Sequence, residues 1–349
     1  MKKLLMLSNL LLLICSAGKA GAETETFLDN AMDYLRTQQQ PDGSFGRPQP
    51  HLRTGLVMLA LLSLEAKPNE EGTALLERAA GYLLKTGSMG GDLGDDLFNT
   101  ESHSIAVTAL ICSHEFLRNA RLREDAAKRI YRAVRHTLRL QDRSSSSSSR
   151  GGWKMEGRKG RANDRRASAW ALVACQTVRL YGMEIPEANL KRGLRFMLGS
   201  YKEKSDNSDQ IGGFSVDTEG LAVDLISSMG GWVMSRFDGK EGMRKKNLDW
   251  LARNSPKWSG PNYFYSAFFR SRTMKFEAKK DLYRETIQRL HTQVADHQQS
   301  DGSVAFPPGN AQNTIAMGPV FSTAMSILII NVDDSRLSFD EDYRVKSLF

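Results

Sequence analysis

The chain has 349 residues and a mass of 39.0 kDa, with 40% hydrophobic and 25% charged residues, which excludes a disordered or collagen-like polymer. Three cysteines exclude a disulfide-built scaffold. The net charge of +8 falls to +5 without residues 1–22, which carry Lys2, Lys3, Lys19 and no acid, a bias too small to argue a nucleic-acid partner.

Residues 1–22 read as a secretory signal. Lys2 and Lys3 open it, an apolar run centred on 10–14 follows, and Ala20, Gly21 and Ala22 form a small-x-small cleavage site before Glu23. The run is shorter than the roughly 20 apolar residues of a spanning helix, and no later segment reaches that length. The mature protein is therefore expected to be exported, periplasmic or secreted, with no membrane span. Cys112 and Cys175 lie in apolar helical stretches and read as small buried hydrophobes, with a bridge permitted if they come within reach.

From residue 27 two kinds of helical segment alternate. Segments 27–38, 75–84, 130–138, 190–197, 242–252 and 287–294 are amphipathic, with Leu75, Ala79 and Leu83 marking one such face. Segments 56–64, 105–111, 167–178, 221–229, 263–269 and 320–332 are apolar nearly all round and must be buried on every side. Six buried helices wrapped by six half-exposed ones make an (α/α)6 toroid, all-α, as one domain over 23–332. Ser144 to Ser149 make the stretch 143–150 a flexible insertion, and 333–349 is a tail without a packing pattern.

The linkers that enter the buried helices resemble one another. Gln40-Pro41-Asp42-Gly43-Ser44-Phe45 is echoed by Gln299-Ser300-Asp301-Gly302-Ser303, with Gly151-Gly152-Trp153 and Gly212-Gly213-Phe214 as variants. Asp-Gly and Gly-Gly supply positive-φ turns and the aromatic fills space beside the ring, a structural pattern. These turns, each before a small-residue-rich apolar helix, resemble the prenyltransferase and squalene-cyclase repeat over about 27–332. That resemblance implies the toroid, and isoprenoid cyclisation or transfer as an activity. The diagnostic residues of those enzymes are missing. Asp92-Leu93-Gly94-Asp95-Asp96 is one residue longer than the Asp-x-Asp-Asp acid of a protonating cyclase and reads as a solvated turn. Cys112 stands nine residues beyond His103, which is no zinc-ligand spacing, and the Cys-Gly-Glu-Gln of thioester proteins is absent. No metal and no cofactor are expected.

In such a ring the inner helices run parallel, so their N-termini gather at one mouth that attracts anions. Basic residues of the linkers, His51, Arg53, Lys154 and Arg165 among them, would bind an anionic ligand there, or simply form a solvated basic face. Asp217, Gly220 and Asp224 share a helical face at the start of the fourth inner segment, which suits a general acid, or an aspartate satisfied by a neighbouring Arg or Ser. Glu101 and His103 open the second inner segment as an acid–base pair or a capping cluster. Tyr263 and Trp170 offer ring faces to a ligand, or pack the core. The expected ligand is an anionic or partly apolar small molecule or polysaccharide. A secreted polysaccharide lyase or hydrolase and a non-catalytic scaffold are the alternatives.

Overall fold

The computed structural model describes residues 23–340 except 66, 96–98, 145–149, 157–161, 217–219, 238–239, 261, 308–310 and 336, with the backbone alone at 311–316. Residues 1–22, where a signal is expected, Asp217, most of the serine run and residues 341–349 lie outside the described residues.

Among the described residues twelve α-helices alternate as the hydropathy pattern predicts. The outer layer is α1 (23–37), α3 (Glu70–Thr86), α5 (Ala120–Leu140), α7 (Glu187–Leu198), α9 (Glu241–Arg253) and α11 (Lys280–Ala295). The inner layer is α2 (Pro50–Leu64), α4 (Asn99–Ser113), α6 (Arg165–Leu180), α8 (Asp224–Arg236), α10 (Tyr263–Glu277) and α12 (Ala311–Ile330). Each inner helix packs on the next, and α12 packs on α2, so the ring closes. The fold is an all-α (α/α)6 toroid. The only named strands among the described residues are β1 (Trp153–Lys154) and β2 (Asn163–Asp164), an antiparallel pair. Side-chain caps start several helices: Asn69, Asn119 and Asp164 accept from Gly72, Leu122 and Ala167 backbone N–H groups at 2.8, 3.0 and 2.9 Å.

The inner helices are buried but not wholly apolar. On α4, Thr100, Glu101, Ser102, His103, Ser104 and Thr108 are all fully buried. One polar residue of most inner helices, His103 in α4, is used by a contact that repeats around the ring. Gly43 has φ of 92° and presses on the backbone of α3, where a Cβ would stand 2.2 Å from the Arg78 carbonyl oxygen. Two residues on, Phe45 is fully buried and its backbone N–H donates to Thr54 Oγ1 of α2 at 3.3 Å. The same unit recurs with Gly91 on α5, Gly151 on α7, Gly212 on α9 and Gly302 on α1. There Leu93, Trp153, Phe214 and Val304 donate to His103, Ser168, Ser227 and Thr323 of the following inner helix at 3.0, 2.9, 2.8 and 2.9 Å. Each linker is thus fastened to its own inner helix and to the next outer helix. Only the linker between α9 and α10 departs from this unit.

Two expectations need correction. The fourth inner helix begins at Asp224, not at residue 221: Leu221 is 71% exposed and Ala222 pairs with Ser215 in an isolated bridge. No helical face joins Gly220 to Asp224. The tail is also packed: Leu337, Phe339 and Asp340 are buried where the inner helices end. Asp340 receives Arg272 of α10 through Nε–Oδ1 at 2.6 Å and a second nitrogen–Oδ2 contact at 2.8 Å, while Arg236 of α8 donates to the Phe339 carbonyl. Arg272 in turn lies 3.8 Å over the Phe268 ring. The tail closes the end of the ring opposite the mouth. Cys112 and Cys175 are free and buried, and burial pushes each thiol up to about 12.

Candidate functional site

At the mouth, α8 and α10 begin side by side and the departing linker, described over residues 254–260 and 262, runs past them. A cleft of about 910 Å³ opens there. Asp224, first residue of α8, lies on its wall with Leu225, Trp250, Arg253, Lys257, Tyr263, Arg289 and Gln293. Asp224 is ion-paired with Arg270, a buried guanidinium that also donates to the carbonyls of Leu251 and Asn254 at 2.5 Å. The sequence alternative of an aspartate satisfied by arginine therefore describes its contact. The Tyr263 hydroxyl donates to Gln293 Oε1 at 3.2 Å, and the Tyr263 ring stands against Trp258 with centroids 4.8 Å apart.

Nearer the axis, Asn262 and Tyr263 also border a second, much smaller space of about 20 Å³, walled by Arg166, Tyr265, Phe306, Met317 and Phe321. Beside it Glu101 of α4 is fully buried, with Arg166 Nε 2.9 Å from its Oε2. The contact is an ion pair without linear hydrogen-bond alignment, and the Tyr265 hydroxyl faces the same carboxyl. Burial raises the Glu101 carboxyl above its ordinary range, and the Arg166 charge opposes that shift. Trp170 lies within the ring, stacked on Phe268 at 5.2 Å and edge-on to Tyr265 at 6.3 Å, its indole N–H without an acceptor.

Glu101 and His103 do not form a pair. His103 points away from the axis: Nδ1 accepts the Leu93 N–H, and Nε2 lies 2.9 Å from Thr137 Oγ1 of α5. Because Nδ1 is an acceptor, the proton is assigned to Nε2. Burial holds the imidazole down at about 4, helped by the neighbouring His136. His51 sits between Asp95 Oδ1 and Thr86 Oγ1, at 2.8 Å from each. Asp95, expected in a solvated turn, is buried and accepts the backbone N–H groups of His51 and Leu52 at 3.1 and 3.0 Å, so it occupies the N-terminus of α2. Arg165 turns outward, donating to the Ser215 and Phe196 carbonyls at 3.1 and 2.6 Å. Arg53 donates to the Arg47 carbonyl at 2.7 Å and packs against Gly318, where φ of 62° breaks α12 ahead of Pro319. Lys154 is half-exposed on β1, and its carbonyl accepts Thr100 Oγ1 at 2.6 Å.

The structure therefore brings Asp224 and Tyr263 to the cleft, and Glu101 and Trp170 towards the axis, while His51, His103 and Arg165 serve the linkers and helix ends. Sequence reasoning missed Arg270, and it saw Arg166 only as part of a basic stretch and Tyr265 only as part of an aromatic run, not as neighbours of Glu101. The available signal was an arginine inside an otherwise aromatic helix, which demands a buried acid or carbonyl partner.

No known protein family and no curated protein matches the sequence. Solved structures do match. An inactive variant of an α-1,6-mannanase from Salegentibacter, in complex with α-1,6-mannotriose, aligns with a TM-score of 0.62 and 9% identity over 88% of this chain and 98% of that one. A type II terpene cyclase from Scytonema aligns at 0.58 and 12% identity over 90% and 98%. A GH76 α-mannanase from Bacteroides thetaiotaomicron aligns at 0.55 and 12% identity over 89% and 96%. These neighbours are α/α toroids. At such identities the likeness is one of fold, and activity has to be argued from the site.

Proposed function

We propose that this chain is an exported toroid protein that takes an anionic, carbohydrate-like ligand in the open cleft at the inner-helix mouth. The observation that supports this reading is a contrast of volumes. The cleft of about 910 Å³ is within the size range of ligand sites, whereas the space on the axis, about 20 Å³, is of the order of a single water. An isoprenoid chain folded for cyclisation needs an enclosed cavity, and among the described residues Trp170, Phe268, Phe269 and Phe321 are buried rings packed inside the toroid. In the cleft Lys257 offers charge to an anion, Arg253 and Arg289 stand beside it paired with Asp209 and Glu285 at 3.7 and 2.8 Å, the buried Tyr263 and Trp250 rings back the wall, and the Asp224 carboxylate can accept from a ligand hydroxyl. Binding of mannotriose by a mannanase of the same fold supports a carbohydrate at a toroid.

The isoprenoid reading keeps one observation of its own, the buried Glu101 next to an aromatic-walled hollow. Thermal unfolding separates the two. A ligand of the native state raises the midpoint in proportion to the logarithm of its concentration over its dissociation constant. Oligogalacturonates are expected to raise it, and Lys257→Glu with Arg253→Glu to abolish the rise. A shift with isoprenyl diphosphates and none with oligosaccharides would replace this reading by the isoprenoid one. Products formed from the bound oligomer, and their loss in Asp224→Asn, would add catalysis to binding.

A further inference from the structure

The outer wall carries a second, independent surface. Along α5, Lys128, Arg132, Arg135 and Arg139 are exposed at spacings of four, three and four residues, and Arg143 continues the line beyond the helix end. Such spacings place the four helical residues on one face, one charge per turn of about 5.4 Å. Lys128 is paired with Glu124 at 2.6 Å, but no carboxylate among the described residues forms an ion pair with Arg132, Arg135, Arg139 or Arg143. Arg143 and Arg150 crowd Arg192 of α7, so the like charge continues sideways. Tyr131, 54% exposed, stands beside the line with the Arg135 guanidinium 5.8 Å from its ring centroid.

We propose that this arginine line is a docking surface for a linear acidic polysaccharide. Four features select that partner. The charges lie along a line on a convex wall, which fits an extended polymer better than a plane. One charge per helical turn is comparable with one carboxylate per sugar ring, whereas duplex DNA presents one charge per roughly 1.7 Å of axis. Guanidinium forks pair with carboxylates in two parallel hydrogen bonds. The exposed Tyr131 ring supplies a stacking platform for the apolar face of a sugar. The apolar face of α5 is already used by Ala126, Ile130, Ala133 and Val134 against the core, so no apolar face is left to enter a bilayer.

The test measures binding of polygalacturonate by the whole chain over a salt series, comparing Arg132→Glu/Arg135→Glu with Lys245→Glu/Lys246→Glu, an equal charge change on exposed α9 positions. The expected result is a loss of about tenfold or more in affinity at low salt for the α5 variant, with a shallower salt dependence, and a loss under about twofold for the α9 variant. Tyr131→Ala should weaken binding without changing the salt slope. Equal losses in the two double variants would overturn the surface, since net charge alone would then explain binding. Tighter binding to phosphatidylserine vesicles or duplex DNA than to polygalacturonate, cut equally by Arg132→Glu/Arg135→Glu, would overturn the glycan. The cleft substitutions at Arg253 and Lys257 leave this line untouched, so either surface can fail alone.

Discussion

His103 shows how a residue type that invites a catalytic reading is fixed by its hydrogen bonds. It stands where the other linker units use Thr54, Ser168, Ser227 and Thr323, and it does the same work, accepting one backbone N–H. A buried neutral histidine makes stability depend on pH in a definite sense. Its pKa lies at about 4 when folded against 6.5 for the free side chain, so on acidification the unfolded chain takes up the proton first. Its contribution is fully present above about 6.5 and is lost as pH falls towards 4, by roughly 3 kcal/mol at about 1.4 kcal/mol per unit. Denaturant titrations at pH 7 and pH 4 should show His103→Thr losing less stability between the two than the parent chain. The opposite ordering would place a different group behind the acid sensitivity. Glu101 differs, because no linker unit requires it, and its burial beside Arg166 is what keeps it a candidate for chemistry.

At the scale of the element, the linker unit explains which parts of the chain could be read in advance. The alternation of amphipathic and apolar segments is a periodic signal twelve times over, and it located the helices and the toroid. The turns Asp42-Gly43 and Asp301-Gly302 were legible as turns, but not the carbonyls of Arg78 and Asn30 that they press against, because a sequence does not show which helix comes alongside. The start of α8 was misplaced for a related reason: Leu221 and Val223 read as helix by hydropathy, yet both are exposed in an extended segment. Arg270 was missed because its partner Asp224 lies 46 residues away in the chain. Two glycine substitutions check the unit. Gly43→Ala should cost about 3 kcal/mol, since it combines positive φ with a blocked Cβ. Gly81→Ala, in the interior of α3 with open space around its Cβ, should stabilise by about 0.5–1 kcal/mol. Two changes of like sign in chemical denaturation would sink the assignment of a special role to the linker glycine.

Across the whole molecule, the two ends of the ring are built differently. One end is open and polar, with the cleft where the α9–α10 linker departs from the common unit. The other is closed by Phe339 and Asp340, with the Arg272–Asp340 pair wholly out of solvent. Removing one partner of such a pair strands a charge. Asp340→Ala is expected to destabilise by about 3–5 kcal/mol, while Arg272→Met with Asp340→Leu should recover most of that loss. Equilibrium unfolding of the single and double variants decides it through their coupling. If the double variant were as unstable as the single one, the tail would be held by its apolar contacts rather than by the ion pair.

The Gly302 contact on Asn30 carries a consequence for how the chain is made and how it opens. In a stack of repeats the first and last units have one neighbour each and fray before the middle does. Here the last linker grips the first outer helix, so the array has no outermost unit. During synthesis α1 must wait for residues near 302 before its partner exists, which makes the final hairpin the step that completes the core. In the finished protein, amides of α1 should exchange with solvent as slowly as those of α5. Gly302→Ala should loosen this junction and speed the exchange of α1 amides relative to those of α5, while α12 stays packed on α2.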